Sequence, residues 1–435
     1  MNVTRGMQRR TAKLARRSEV ISDQTVIAGV DLAKRTSVVM FVRASDKRRL
    51  GHLRIGPGEA GIRQLVHEGQ ALLEAQGLSK LLVAMEATGN LWKIAARACE
   101  GFSVDYVIVQ SFVLSRAREF DDLTRDKNDR RDAGLIADLA AERRFTDVKL
   151  EHGPWAQLRL YADARDQQRV RRSADLQEQR SLLELVWPGL LEHLPDIQGA
   201  HVQATLRLGL GPLEIAGMKL ARFTRLLYRE QQERRFLHGV AQRIWEAATE
   251  ARPCDELEAA VLRWQCAAQR VLAADRSIAL YEARMLASFE RTGLGWMQDQ
   301  IPGLGEVALA GIMGSAGDVR RFDDSGCIIK LAGGNPTERS SGETVAQGGI
   351  HRRGRPTLRT LAWQAATNLI RHNPDFGNRY RELITRERRP LKKRQAQLAV
   401  ANKLLRILWA MAVTGRPYSS ELATRGRTQP EGAAA

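Results

Sequence analysis

The sequence has few of the residues that build redox sites or soft-metal sites. Its 435 residues include only four cysteines and eight histidines. The cysteines Cys99, Cys254, Cys266 and Cys327 are far apart, and no two have the spacing of zinc ligands. The histidines form neither an HxH nor an HExxH pattern. We therefore expect reduced, buried thiols in a cytosolic protein and no structural zinc site.

Long apolar runs are also missing. No run reaches the length of a membrane-spanning helix, and the N-terminus lacks the apolar centre of a signal peptide. We expect a cytoplasmic protein with no membrane partner. The sequence contains no internal repeat.

Positive charge, by contrast, is plentiful. The 68 lysines and arginines outnumber the 50 aspartates and glutamates, which gives a formal net charge of +18. An excess of this size favours a polyanionic partner, with nucleic acid ahead of a membrane surface.

The chain changes character several times along its length. Residues 1–23 are polar and basic and indicate a disordered tail. Residues 24–150 alternate between strand and helix patterns, with strands at 26–30, 36–42, 49–55, 81–85 and 104–109. Helices are predicted near residues 59–76 and 91–100 and in segments up to about residue 143. Three strands, then helix, strand, helix, strand and helix, is the order of an α/β RNase H-like (RuvC-like) domain.

Four acidic residues occupy special places in this pattern. Asp31 ends the first apolar strand, and Glu86 ends the fourth. Asp129 and Asp132 lie three residues apart in a predicted helix, so both project from one face. Such carboxylates predict a site for two Mg²⁺ ions that acts on phosphodiesters, because oxygen ligands select hard cations. Each acid alone has an ordinary structural explanation, as a helix-terminal charge or a partner of a nearby arginine.

The remaining chain is predicted to be mainly helical. Residues 151–295 carry long amphipathic stripes, which indicate either an antiparallel helical pair within one domain or a coiled-coil dimerisation arm. Residues 296–418 form a C-terminal, mainly α domain, and residues 419–435 form a disordered tail. Gly303 and Gly305 precede a predicted helix at 307–314 in a helix-hairpin-helix-like segment, where backbone N–H groups can bind a phosphate.

A glycine- and arginine-rich loop follows in the C-terminal domain. It contains a Ser-Ser-Gly step, Ser340-Ser341-Gly342, which by itself is an ordinary turn. Several arginines surround it and are candidate nucleic-acid contacts: Arg339, Arg352, Arg353, Arg355 and Arg359. They could hold a scissile phosphate while a serine hydroxyl attacks it, or they could bind backbone phosphates without specificity. The residues alone leave both interpretations open.

Taken in order, several segments resemble an insertion-sequence transposase family with an N-terminal DEDD, RuvC-like domain and a C-terminal serine-bearing domain. The resemblance covers about residues 24–145 and 295–415. Its segments are Gly29-Val30-Asp31 with Lys34, Met85-Glu86-Ala87-Thr88-Gly89, Lys127-Asn128-Asp129-Arg130-Arg131-Asp132-Ala133, Ile301-Pro302-Gly303-Leu304-Gly305, Arg321-Phe322, Ser340-Ser341-Gly342, residues 349–354, and Lys403-Leu404-Leu405-Arg406-Ile407-Leu408-Trp409.

The resemblance implies roles for particular residues. Asp31, Glu86, Asp129 and Asp132 become the DEDD metal ligands, and Ser341 becomes the nucleophile, with Ser340 as the alternative. It also implies a prokaryotic, nucleoid-associated recombinase that cuts and rejoins the ends of its element and a target DNA under the direction of a bridge RNA. The acids of one subunit would meet the serine domain of another in a dimer or tetramer.

Two other functions are compatible with the residues. One is a Holliday-junction-type endonuclease that uses the four acids with water as the nucleophile. The other is a non-catalytic nucleic-acid-binding protein in which the acids are structural.

Overall fold

A computed structural model describes residues 15, 17, 19–121, 128–146, 148–231, 236–341, 344–351 and 353–421. Of residues 121, 338–341 and 344–348 it describes the backbone alone. The chain divides into two compact units, Met1–Leu150 and Glu151–Ala435. Most of both predicted tails, and Lys127, Gly342 and Arg352, lie outside the described residues.

The first unit is built on a five-stranded mixed sheet. Its strands are β1 (Thr25–Asp31), β2 (Ser37–Arg43), β3 (Arg49–Ile55), β4 (Lys80–Glu86) and β5 (Asp105–Val109). They lie in the order β3-β2-β1-β4-β5. The first three strands are antiparallel neighbours, while β1, β4 and β5 run parallel. This mixed sheet fits an RNase H-like domain, and the predicted strands are confirmed to within one or two residues.

Helices cover both faces of the sheet. The helices of the first unit are α1 (Gly58–Gln76), α2 (Leu91–Gly101), α3 (Ser111–Asp121) and α4 (Asp129–Ala141). On one face, Val26, Ala28 and Val30 of β1 share a core with residues of α1 and α2. On the other face, Ile27 of β1 and Leu82 and Ala84 of β4 share a core with residues of α4. Burial on both faces explains why β1 and β4 read as continuous apolar runs.

Gly29 sets the spacing between the sheet and α4. A Cβ atom added to Gly29 would lie 2.2 Å from the Ala133 carbonyl oxygen and 2.7 Å from the Ala137 backbone nitrogen. No side chain fits there, because both atoms belong to the backbone of α4. The missing side chain of Gly29 therefore permits α4 to pack directly on the centre of the sheet.

The second unit begins with two long helices that pack against each other. The two long helices are α5 (Gly153–Val186) and α11 (Leu257–Phe289). Five shorter helices lie between them in sequence: α6 (Pro188–His193), α7 (Ala200–Leu208), α8 (Pro212–Ala216), α9 (Leu220–Gln231) and α10 (His238–Thr249). Ion pairs fix their antiparallel direction: Arg165–Glu282 at 2.6 Å, Arg172–Asp275 at 2.6 Å, Arg270–Asp175 at 2.7 Å and Arg263–Glu178 at 2.9 Å. The predicted amphipathic stripes thus form a helical pair within one chain. A role in dimerisation stays a prediction.

The rest of the second unit is mainly helical. After a π-helical turn (Glu290–Leu294) and a 3₁₀ turn (Gly295–Met297), the helices are α12 (Glu306–Ala316), α13 (Ser325–Ala332), α14 (Pro356–His372), α15 (Pro374–Thr385) and α16 (Lys393–Thr414), with a 3₁₀ turn at Val319–Arg321. Their core includes Leu158 and Ala162 of α5 and Met285 and Phe289 of α11. A separate core, which includes Leu176, Trp187 and Trp264, joins the other half of the long helices to α6–α10.

The predicted glycine- and arginine-rich loop contains a two-stranded hairpin. Its strands are β6 (Pro336–Ser341) and β7 (Thr344–Ile350), which pair in antiparallel fashion. The expectation of a loop is therefore wrong for the residues of these two strands. The glycines around the hairpin weaken strand signals in the sequence, and β6 begins at a proline.

One described helix has the length and apolar composition of a membrane span, namely α16. Lys403 and Arg406 interrupt its apolar residues. Leu404, Leu405 and Leu408 of α16 are at most 1% exposed and belong to the core of the second unit. Such burial is what a core helix of a large domain shows.

We predict that Gly29→Ala destabilises the first unit by about 3 kcal/mol, because the new methyl group cannot avoid the backbone of α4. Hydrogen exchange of peptides from β1 and α4 in the full chain, followed by mass spectrometry, measures the effect. Gly51→Ala in β3 is the matched control, because a Cβ at Gly51 meets no atom within 4 Å. Equal exchange in the two variants would contradict the account of Gly29.

Candidate functional site

Asp31 and Glu86 lie at the same edge of the sheet. Each is the last residue of its strand, and β1 and β4 are parallel neighbours with Val30 paired to Met85. The next step of that register sets Asp31 beside Glu86, and neighbouring strands are about 4.8 Å apart. Alternation along the strands puts both acids on the face that α4 covers, with Ile27, Leu82 and Ala84. Both are half-buried.

The other two acids lie on the first turns of α4. Asn128 is the N-cap of this helix, and its side chain accepts a hydrogen bond from the backbone N–H of Arg130 at 3.0 Å. The cap begins the helix at Asp129, which is exposed, while Asp132 is 1% exposed. Ala133, directly after Asp132, packs against Gly29, two residues before Asp31. The positive end of the helix dipole favours acids at these positions.

Asp132 is held by an arginine that the sequence analysis did not single out. Arg118 of α3 donates two hydrogen bonds to it, from Nε to Oδ1 at 2.6 Å and from Nη2 to Oδ2 at 2.9 Å. The two residues are 14 positions apart and lie on different helices, so no local pattern signals the pair. A bidentate guanidinium–carboxylate pair of this kind is strong and directional.

The four acids do not form a closed cluster. Among the described residues, no three His, Cys, Asp or Glu side chains lie close enough together to hold a metal ion. Asp31 and Glu86 are neighbours, whereas Asp132 is engaged by Arg118 and Asp129 faces solvent. The donor set still fits a hard divalent cation, because it consists of carboxylate oxygens at one edge and one face of the sheet.

A basic groove lies beside the acids, between α4 and strands β2 and β3. It is lined by Met40, Arg49, Asn128, Arg130, Arg131, Gly134, Leu135 and Asp138. Arg49 donates to both carboxylate oxygens of Asp138, at 2.7 and 2.5 Å, and Arg130 contacts the His52 ring at 3.2 Å. The groove adds positive charge next to Asp129 and was not predicted.

The candidate serines lie at the end of the hairpin. Ser341 is the last residue of β6 and pairs with Thr344, the first residue of β7, and Ser340 pairs with Val345. The side chains of Ser340, Ser341 and Arg339 lie outside the described part of the structure. Their predicted roles therefore stay predictions.

The base of the hairpin is tightly held. Gly333 and Gly354 pack against each other so closely that a Cβ at Gly354 would lie 2.6 Å from the Gly333 nitrogen. The His351 N–H donates to the Asn335 carbonyl oxygen at 2.8 Å, and Asn402 of α16 donates to the Gly334 carbonyl oxygen at 3.1 Å. These contacts fix the position of the base of the hairpin that carries the serines.

The candidate arginines near this base have different surroundings. Arg353 is exposed. Arg355 donates to the Ser315 carbonyl oxygen at 2.5 Å, and Arg359 donates to the Ala332 carbonyl oxygen at 2.8 Å. Burial, and after it the positive charge of Arg159, lower the pKa of the Arg355 guanidinium to about 10. Arg355 and Arg359 thus have structural contacts in addition to their predicted role with phosphates.

The two candidate glycines of the second unit lie in a short turn before α12. Gly303 has a φ of +87°, which favours glycine, and Gly305 is the N-cap of α12. Asn368 donates to the Gly303 carbonyl oxygen at 2.8 Å, and Asn373 donates to the Pro302 carbonyl oxygen at 2.9 Å. Two asparagines near the end of α14 therefore hold the turn in place.

The mixed sheet fits the class of DEDD domains with an RNase H-like fold. The family model of IS110-type DEDD transposases matches residues 28–188, and the model described as "Transposase IS116/IS110/IS902 family" matches residues 299–381. The two matches together cover more than half of the chain. The chain belongs to the IS110 family of DEDD transposases.

Curated relatives are similar over part of the chain. The transposase for insertion sequence element IS1111A of Coxiella burnetii is 30% identical over 157 residues, which are 35% of this chain and 42% of that protein. A probable family 20 transposase of Pseudomonas aeruginosa is 32% identical over 114 residues, which are 26% of this chain and 33% of that protein. The chain thus spans less than half the length of either relative.

We predict that Asp132→Asn lowers the stability of the first unit by about 2 kcal/mol without added metal, because the charge of Arg118 loses its partner. Asp129→Asn is the matched control and leaves stability nearly unchanged, since Asp129 is exposed. Thermal unfolding of the full chain in the presence of a chelator measures the difference. A larger loss of stability in Asp129→Asn than in Asp132→Asn would show that the stability of the first unit does not depend on the Arg118–Asp132 ion pair.

Proposed function

We propose that this protein is a DNA transposase that cuts and rejoins DNA through a serine nucleophile, with metal ions held by Asp31, Glu86, Asp129 and Asp132. The observation that carries the proposal is the placement of the four acids on elements that meet at one face of the sheet. Two end neighbouring parallel strands, and the other two lie on the helix that covers the same face. Independent structural roles would not require this common location.

The metal site rests on the chemistry of its donors. Carboxylate oxygens prefer hard cations, and Mg²⁺ is the abundant ion of this kind, so we infer a site for two Mg²⁺ ions. Ions bound there would supply Lewis-acid stabilisation of the attacking and leaving oxygens of a phosphodiester. The chain itself orients the acids, through the Asn128 cap and the packing of Ala133 on Gly29.

The rejoining step rests on the serine. The Ser341 hydroxyl oxygen forms a bond to a DNA phosphorus, one phosphodiester P–O bond breaks, and the hydroxyl proton leaves with the freed DNA oxygen or to solvent. The protein–DNA phosphodiester that results keeps the bond energy needed for rejoining. The position of Ser341 at the end of a hairpin with a fixed base supports this role. Ser340 is the alternative nucleophile.

The partners follow from charge and family. A net charge of +18 favours nucleic acid, and the family resemblance favours the element's ends and its target DNA, together with a guide RNA that selects them by base pairing. Arg353, the Gly303–Gly305 turn and the basic groove beside α4 are the proposed phosphate contacts. We also propose that the protein acts as a homo-oligomer.

We expect a plasmid that carries this reading frame with its natural flanking DNA to yield a covalent protein–DNA adduct with Mg²⁺. Ser341→Ala should abolish the adduct, because the attacking oxygen is removed, while Ser340→Ala is the matched control and should retain it. Denaturing electrophoresis of radiolabelled DNA measures the adduct. Loss in Ser340→Ala alone would assign the nucleophile to Ser340.

We also expect Asp129→Asn to abolish recombination in a strand-exchange assay, because the proposed metal site loses one ligand. Cleavage of a four-way junction by Ser341→Ala, without any adduct in the wild type, would instead favour a junction nuclease that uses water. A wild-type protein that binds DNA but never cuts it with Mg²⁺ would favour the non-catalytic binding protein.

A further inference from the structure

The Arg118 side chain of α3 extends toward the first turns of α4. Leu114, one helical turn before Arg118, is fully buried in the core that also contains Ala133 and Ile136 of α4. Residues four positions apart lie on the same helix face, so this packing directs Arg118 toward Asp132. The Arg118 side chain is 33% exposed.

The pair satisfies both oxygens of Asp132. Each carboxylate oxygen accepts one N–H at 2.6 or 2.9 Å, and the Asp132 side chain is 2% exposed. A buried carboxylate needs such compensation, because an unpaired charge in this position is costly. Asp31 and Glu86 lie at the ends of neighbouring strands on the same face of the sheet.

A divalent cation would compete with this arrangement. The guanidinium lies on the Asp132 oxygens, and two positive groups that share one carboxylate repel each other strongly in a partly buried site. Repulsion between the two cations therefore favours withdrawal of Arg118 from at least one oxygen when the ion binds. If the site is open in only a fraction of the molecules, the apparent affinity for the ion is reduced by that fraction.

We propose that Arg118 is a positioning residue that takes the place of the metal at Asp132 in the metal-free protein and is exchanged for it when the ion binds. The proposal rests on the metal site proposed above. It agrees with two observations: the Asp132 carboxylate is engaged by the arginine, and the described acids form no closed cluster. Arg118 holds both oxygens of the buried acid in a fixed orientation until the exchange.

The test is a calorimetric titration of the full chain with Mn²⁺ in the absence of DNA. Removal of the competing cation in Arg118→Ala should tighten the apparent affinity for Mn²⁺ by about tenfold, which corresponds to about 1.4 kcal/mol. Arg118→Gln keeps one hydrogen-bond donor without the charge and should also bind more tightly than the wild type. Arg116→Ala is the matched control, because Arg116 is exposed on the same helix and pairs with Glu119 at 2.6 Å.

Thermal unfolding supplies a second measurement that separates exchange from a purely structural role. With a chelator present, Arg118→Ala should unfold several degrees below the wild type, because Asp132 loses its partner. Saturating Mn²⁺ should close that gap, because the ion replaces the missing charge. A structural arginine would lower stability in both conditions.

The outcomes separate the two proposals. Unchanged or weaker Mn²⁺ binding in Arg118→Ala and Arg118→Gln, with normal binding in the wild type, overturns the role of Arg118 and leaves the metal site intact. Binding that appears only in the two Arg118 variants supports the exchange. Absence of binding in all variants overturns the metal site itself, and the role of Arg118 with it.

Discussion

The contact between Gly29 and α4 determines how the first unit is organised. Because β1 has no side chain at its centre, the backbone of α4 rests on the strand at Ala133 and Ala137. That contact fixes the distance of α4 from the sheet, and with it the positions of Asp129 and Asp132 relative to Asp31 and Glu86. Alanine at position 29 would push α4 away from the sheet. It would thereby separate Asp129 and Asp132 from Asp31 and Glu86 without altering any of the four acids.

Strands β1, β2, β4 and β5 could be predicted from the sequence because each is a short apolar run that ends at or just before a polar residue. The acids Asp31 and Glu86 were found for the same reason, since each interrupts such a run. The Arg118–Asp132 pair could not be predicted, because two helices bring its members together and neither helix shows a local sign of the other. The hairpin of β6 and β7 was missed because the glycines around it hide strand periodicity.

Charge has two different uses in this chain. Between α5 and α11, arginines meet acids in partly exposed pairs, each of which contributes little energy but excludes other registers. At Asp132 a similar pair lies in a buried place, where it neutralises an acid with a proposed chemical role. The +18 excess remains after these pairs and is available to nucleic acid.

The antiparallel helical pair makes the C-terminal core discontinuous in sequence. Leu158 and Ala162 enter that core before the chain leaves along α5, and Met285 and Phe289 enter it when α11 returns. The intervening residues build a separate core around Trp187 and Trp264. The residues between Ala162 and Met285 therefore form an insertion, which the two long helices connect to the C-terminal core. A change in length at the outer end of the two long helices would therefore leave the residues of the C-terminal core in place.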